Sequence, residues 1–171
     1  MPAPQTTVSI KPAAYFAGML VDLNDYSSES YVNEEASIEL AFGRMVKQGT
    51  AVEQAKELAA QADVPIGIVM HSHRYAKDDE LGTTGLKPGV SLAVITRGKI
   101  VVEVGEAVGP NDAVRYNATG TGGTKGVFYK TASANNTKLV TSARWLSSTS
   151  GAGLAELEID MSSRSTWTND T

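Results

Sequence analysis

The chain has 171 residues, 42% of them hydrophobic but only 6% aromatic, and it contains no cysteine. That length suits one domain, or one domain with an extended arm, with a core of Val, Ile, Leu and Ala; the missing thiols exclude disulfides and thiolate chemistry. The net charge of −4 comes with no Lys/Arg run or stripe, which argues against a nucleic-acid partner because phosphate binding needs concentrated positive charge.

Residues 1–36 read as an extended N-terminal arm. The first twenty, MPAPQTTVSIKPAAYFAGML, carry three prolines, which suppress helix and interrupt strand pairing. The stretch after Lys11 and Pro12 is too mixed for a secretory leader. DLNDYSSESYVNEEAS follows and is polar, yet Tyr15, Phe16, Met19, Leu20, Tyr26, Tyr31 and Val32 are too apolar for a merely solvated tail. They are the expected interface residues of an arm that docks on its own domain or on a neighbour.

Residues 37–161 read as a β-rich domain. SIELAFGRMVKQ alternates, so one strand is expected over 38–47, with a bend at Gly43. Thr50 and Glu53 have capping-box spacing, and AVEQAKELAAQA is rich in helix formers with Val52, Ala55, Leu58 and Ala62 at helical spacing, so a helix is predicted over 51–62. IGIVMH is a short apolar run expected as a buried strand at 66–72. Strand-length segments follow at 91–97, 99–104, 113–117, 127–131, 138–146 and 154–161, with Arg97-Gly98-Lys99 read as a tight turn. This spacing predicts a mainly β fold, a sandwich or barrel, with one short helix. Residues 162–171 form a polar C-terminal tail, in which Trp167 is a candidate anchor on a partner or a residue folded back on the domain.

The segments that invite chemistry weigh against catalysis. In Gly120-Thr-Gly-Gly-Thr-Lys125-Gly126 the lysine is misplaced for a phosphate loop and no helix follows, so a surface turn is expected. His71 and His73 would share a strand face, but they are the only two histidines, and zinc needs three or four ligands. The pairs Glu34-Glu35 and Asp78-Asp79-Glu80 are sequence neighbours that point opposite ways in extended chain, which is not the geometry of an acid/base pair. No Gly-x-Ser-x-Gly elbow is present. The expectation is a non-enzyme without metal or cofactor.

Four blocks carry a resemblance: AGMLVDLNDYSSESYVNEEASIELAFGRMV, PIGIVMHSH, LGTTGLKPGVSLAVITRGKIVVEVGEAVGPNDAVRYNATG and LVTSARWLSSTSGAGLAELEID. In this order they resemble the structural cement (head decoration) proteins of tailed bacteriophages. The resemblance implies a β-rich fold made in the host bacterial cytoplasm and placed on the capsid exterior. There it would bind the major capsid protein, bridge shell subunits and act as a homo-oligomer, a trimer in preference to a dimer, with no nucleic-acid or membrane partner. It carries over no site residues. Two readings from other classes stand beside it: a carbohydrate- or host-surface-binding β-module on the virion, and a small metal-dependent barrel enzyme using His71 and His73.

Overall fold

The computed structural model describes residues 16–71, 80–162 and 167–169. Thirteen strands and no helix are found among the described residues: β1 (Ser27–Asn33), β2 (Leu40–Ala41), β3 (Met45–Gln48), β4 (Gln54–Lys56), β5 (Pro65–Met70), β6 (Gly85–Leu86), β7 (Ser91–Val104), β8 (Arg115–Asn117), β9 (Phe128–Tyr129), β10 (Thr137–Val140), β11 (Ala143–Trp145), β12 (Gly153–Asp160) and β13 (Trp167–Asn169). The fold is mainly β, a barrel-like closed sheet.

Closure follows from the pairings. β1 pairs parallel with β4 and antiparallel with the first half of β7; β4 pairs with β3, β3 with β5, and β5 with β7. The ring β1-β4-β3-β5-β7 therefore closes on itself and leaves no free edge within it. β2 and β6 form a separate two-stranded ribbon. The second half of β7 continues beyond the ring and pairs with β12, which pairs with β11; at its end β7 meets β9, from which β8, β10 and β13 extend the sheet.

Alternation along the strands divides the apolar residues between two cores. Tyr31, Val46, Ala55, Val69, Leu92 and Val94 cluster with Leu40 and Leu86 of the ribbon. Their strand neighbours Met45, Ile68 and Ile95 cluster instead with Ile100, Val102, Tyr116, Phe128, Trp145 and Leu157. The wall shared by β3, β5 and β7 is thus buried on both faces. That is why IGIVM and the start of β7 read as continuous apolar runs rather than as clean alternation. In the larger core Phe128 packs edge-on against both Tyr116 and Trp145, with ring centroids 6.4 Å apart in each case.

The predicted helix over 51–62 does not form. Gln54–Lys56 is a strand between β1 and β3, and Ala55 and Leu58 are fully buried. Val52, which a helical face would bury, is 84% exposed in the turn before β4. Thr50 makes no capping box; its N–H and hydroxyl both donate to the Glu34 carboxylate. The Gln48 side chain closes the turn by donating to the Ala51, Val52 and Gln54 carbonyls. Sheet pairing and burial of two residues outweigh helix propensity, which is worth only about half a kcal/mol per residue.

Two other expectations change. The single strand over 38–47 is split into β2 and β3 by a turn at Gly43, whose φ of 70° lies in the left-handed region. The turn expected at 97–99 is absent: β7 runs unbroken for 14 residues. An irregularity opposite Ser27 and Ser28 sets Thr96 out of register, and Gly98 admits the close approach of Tyr26. The strand expected over 138–146 is likewise divided into β10 and β11. Residue 72, at the end of the strand expected over 66–72, lies outside the described residues, as do residues 1–15.

Candidate interaction surface

Carboxylates pin the turns. Glu34 accepts from the Thr50 N–H and hydroxyl, Glu39 from the Thr84 N–H and hydroxyl and the Thr83 N–H, and Glu106 from the Thr131 N–H and hydroxyl and the Lys130 N–H. Thr50 and Thr84 respectively hold the Glu34 and Glu39 carboxyls below the usual range. At Glu106 burial pushes the carboxyl up, but hydrogen bonds from Thr131 and Lys130 outweigh it, and the net shift is downward. Each carboxylate is committed to the backbone of a distant turn rather than poised over a cleft for proton transfer.

The other chemistry-bearing segments are structural in their contacts. His71 lies at the end of β5 between the rings of Phe16 and Phe42, at centroid distances of 4.5 and 4.8 Å. His73 and the Asp78-Asp79 pair lie outside the described residues. Among the described residues no group of three or more His, Asp or Glu is placed to hold a metal ion. The glycine segment 120–126 is a turn with Gly120, Gly122 and Gly126 at positive φ. Asn117 organises it: its side chain donates to the Thr121 carbonyl and accepts from Thr119 and Gly120 N–H. Those three bonds fix the conformation of the turn.

The sequence-predicted interface residues are separated by the fold. Tyr15 lies outside the described residues. Phe16 is half-buried against His71. Met19 and Leu20 run alongside the second half of β7: the Val101 N–H donates to the Met19 carbonyl at 2.8 Å, and Leu20 bridges to Ile100 and packs on the larger core. Tyr31 is only 7% exposed, inside the smaller core, with its hydroxyl donating to Glu29. Tyr26 and Val32 stay open to solvent at 42% and 38%. Trp167 has its backbone in β13, opposite Val140 of β10. The structure therefore places Tyr26 and Val32 outside and Tyr31 inside, with Leu20 partly buried against the larger core. The residues 27–33 of the expected arm form a strand of the closed ring.

The sequence reading missed Val21 and Leu23, which are 37% and 74% exposed. They lie with Tyr26 on the short connection from Leu20 into β1. Beside it, the outer face of β7, β12 and β11 carries alternating charges. Asp22 pairs with Lys99 and Asp25 with Arg97, while Lys99 stands opposite Glu158, which pairs with Arg144. Asp25, Arg97, Lys99, Arg144 and Glu158 border a shallow groove of ≈ 560 Å³ lined also by Thr141, Ser142 and Asp160. Its charge is compensated within the chain, which makes it a solvated face rather than an electrostatic trap.

A protein-family profile described as structural cement protein (E217 gp24/Pam3 gp6) matches residues 4–160. The chain belongs to the structural cement protein family. This is a family of structural proteins, in keeping with carboxylates engaged in holding turns. Among solved structures, the cement protein is similar to a chain of the capsid of Myoviridae Phage XM1, with a TM-score of 0.62 and 16% identity, covering 92% of this chain and 98% of that one. At that identity the likeness concerns the fold. Comparison with curated protein sequences gives no match.

Proposed function

We propose that this cement protein decorates the outer surface of a bacteriophage head shell and stabilises the shell by bridging major capsid protein subunits. Family membership over residues 4–160 carries the reading. The physical character of the chain agrees with it. Turns pinned by carboxylate hydrogen bonds give a rigid body, and net charge −4 keeps the free protein soluble before assembly. The bridging unit is a homo-oligomer, a trimer in preference to a dimer, because a decoration protein at a local symmetry axis of the shell repeats one contact around that axis. Repetition matters energetically, since several modest contacts engaged together hold far more tightly than one.

The test is reconstitution. Head shells that lack the chain are incubated with the purified protein, sedimented, and heated. Stoichiometric binding and a higher temperature of shell disruption are expected. Shells that neither retain the protein nor gain heat resistance would overturn the reading.

A further inference from the structure

Between Leu58 and Pro65, both buried, the chain passes from β4 to β5 through Ala59-Ala60-Gln61-Ala62-Asp63-Val64. None of these six residues is buried, and none belongs to either core. Polar contacts fasten them. The Asp63 carboxylate accepts from the Ala59 and Ala60 N–H groups at 2.7 and 2.8 Å and pairs with Lys47 at 3.0 Å. The Gln61 side chain donates to the Thr137 carbonyl at 2.8 Å, and the Asp63 carbonyl accepts from the Lys138 ammonium, also at 2.8 Å.

What the segment covers is costly to keep from water. Lys138 and Tyr116 stand opposite each other on β10 and β8 and are 4% and 0% exposed. An ammonium has three protons to donate, and among the described residues the Asp63 carbonyl is the one acceptor Lys138 has. The Tyr116 hydroxyl has none among the described residues. Burial pushes Lys138 toward its neutral form, and the charge of Asp63 offsets this only in part. Closing the segment over these groups therefore forfeits hydration that a single hydrogen bond does not restore. Opening it gives up hydrogen bonds that water replaces, exposes no buried apolar side chain, and returns conformational freedom to six residues.

We propose that residues 59–64 form a strap that opens and closes as a unit on the folded barrel, latched by Asp63 and driven open by hydration of the Lys138 ammonium and the Tyr116 hydroxyl. Leu58 in the larger core and Pro65 in β5 hold its two ends, so the ring, the sheet extension and both cores stay folded when it opens. Opening of this kind is sub-global, with a free energy well below that of unfolding the whole chain.

Amide hydrogen exchange on the full-length protein, read residue by residue at increasing urea below the unfolding transition, tests the strap. The Ala59, Ala60 and Asp63 N–H groups, all bonded within it, report its opening; the Val69 N–H, bonded to the Arg44 carbonyl inside the ring, reports global unfolding. The three strap amides are expected to share one opening constant, to exchange about a hundredfold faster than Val69, and to respond little to urea, because the strap exposes little surface. Lys138→Met keeps the length of the side chain and removes its charge; it should slow the three amides about tenfold without lowering the melting temperature. Tyr116→Phe should slow them in the same direction, and it decides the matter alone if Lys138→Met does not fold. Strap amides that exchange together with Val69 and share its urea dependence overturn the proposal, since the segment then opens only when the whole chain unfolds. Three unrelated opening constants do the same, because they mark fraying rather than a unit. Exchange that is unchanged or faster in the folded variants overturns the role given to the two covered groups and the proposal with it.

Discussion

Glu34, Glu39 and Glu106 each hold a distant threonine by its N–H and its hydroxyl together, a repeated solution to the problem of ordering polar turns without helices. The folded-state carboxyl of Glu106 lies below its ordinary value of 4.5, so the stabilisation is complete above that value and is lost as the pH falls through the folded one. Glu106→Gln is expected to lower stability at neutral pH by about 1 kcal/mol, the screened worth of charge-assisted hydrogen bonds at a half-buried site. It should also flatten the loss of stability below about pH 4.5, the reference value from which the shift is taken. Urea titrations at pH 7 and pH 4 check both, and an equal deficit at the two values would contradict the assignment. Tyr116 makes the opposite case. It is fully buried, its hydroxyl has no hydrogen-bond partner among the described residues, and burial pushes its ionisation far up. Tyr116→Phe removes an unsatisfied polar atom, so stability is expected to hold or to rise by up to about 1 kcal/mol. A clear loss in thermal unfolding would show that the hydroxyl has a partner after all.

At the scale of elements, β5 is tightly constrained, packed between two cores and between β3 and β7. Gly67 has φ 153°, and a methyl on it would collide with the Ile95 carbonyl and the Val94 side chain. Gly67→Ala is expected to cost about 2–4 kcal/mol from strain and overpacking, measurable as a lowered urea midpoint with an unchanged slope. The stretch 51–62 is the clearest divergence between local and global preference. Ala, Glu, Gln, Lys and Leu favour helix residue by residue, but Ala55 and Leu58 are both taken into the barrel and its neighbour core while Val52 is left in a turn. Leu58→Ala is expected to cost about 2–5 kcal/mol, the range for a fully buried leucine, whereas Val52→Ala should cost almost nothing. A helical face would predict comparable losses at both, so the pair separates the two geometries by denaturant unfolding.

For the whole molecule, the decisive feature is that the N-terminal part of the chain enters the closed ring. The sequence suggested that residues 1–36 are an extended arm docked on the domain of residues 37–161 or on a neighbour. β1 contributes Tyr31 and Asn33 to the interior, and the Asn33 side chain donates to the Ile38 and Leu86 carbonyls. Ahead of it, Gly18 accepts from the His71 N–H and donates to the Val101 carbonyl. Removing residues 1–24 strips these groups from β5 and β7 and uncovers Ile100. The melting temperature is expected to fall by about 5–10 °C, the equivalent of roughly 2–3 kcal/mol in a domain of this size. Differential scanning calorimetry on the truncated and the full-length chain distinguishes an arm that is part of the body from one that is not.

By itself, the sequence determined the mainly β class and the presence of strands near 66–72, 91–97, 99–104 and 154–161, because dense β-branched runs punctuated by Gly, Asn and Pro have few other solutions, and its four blocks of resemblance pointed to the family. It also carried enough of the polar turns to argue against phosphate loops and metal clusters, since those need fixed local spacings. What only the tertiary structure decided was the side of the fold each residue faces. Tyr26 and Tyr31 are five apart in one polar segment, yet one is exposed and the other buried, because β1 starts between them and its alternation is set by pairing with Leu92 and Ser91 of β7. Leu23 gives no sign in the sequence of being outside. Its exposure follows from Asp22 and Asp25 being drawn to Lys99 and Arg97, which lie more than seventy residues along the chain. Long-range pairing of that kind has no local signature, so the fold assigns the surface and the sequence only supplies its candidates.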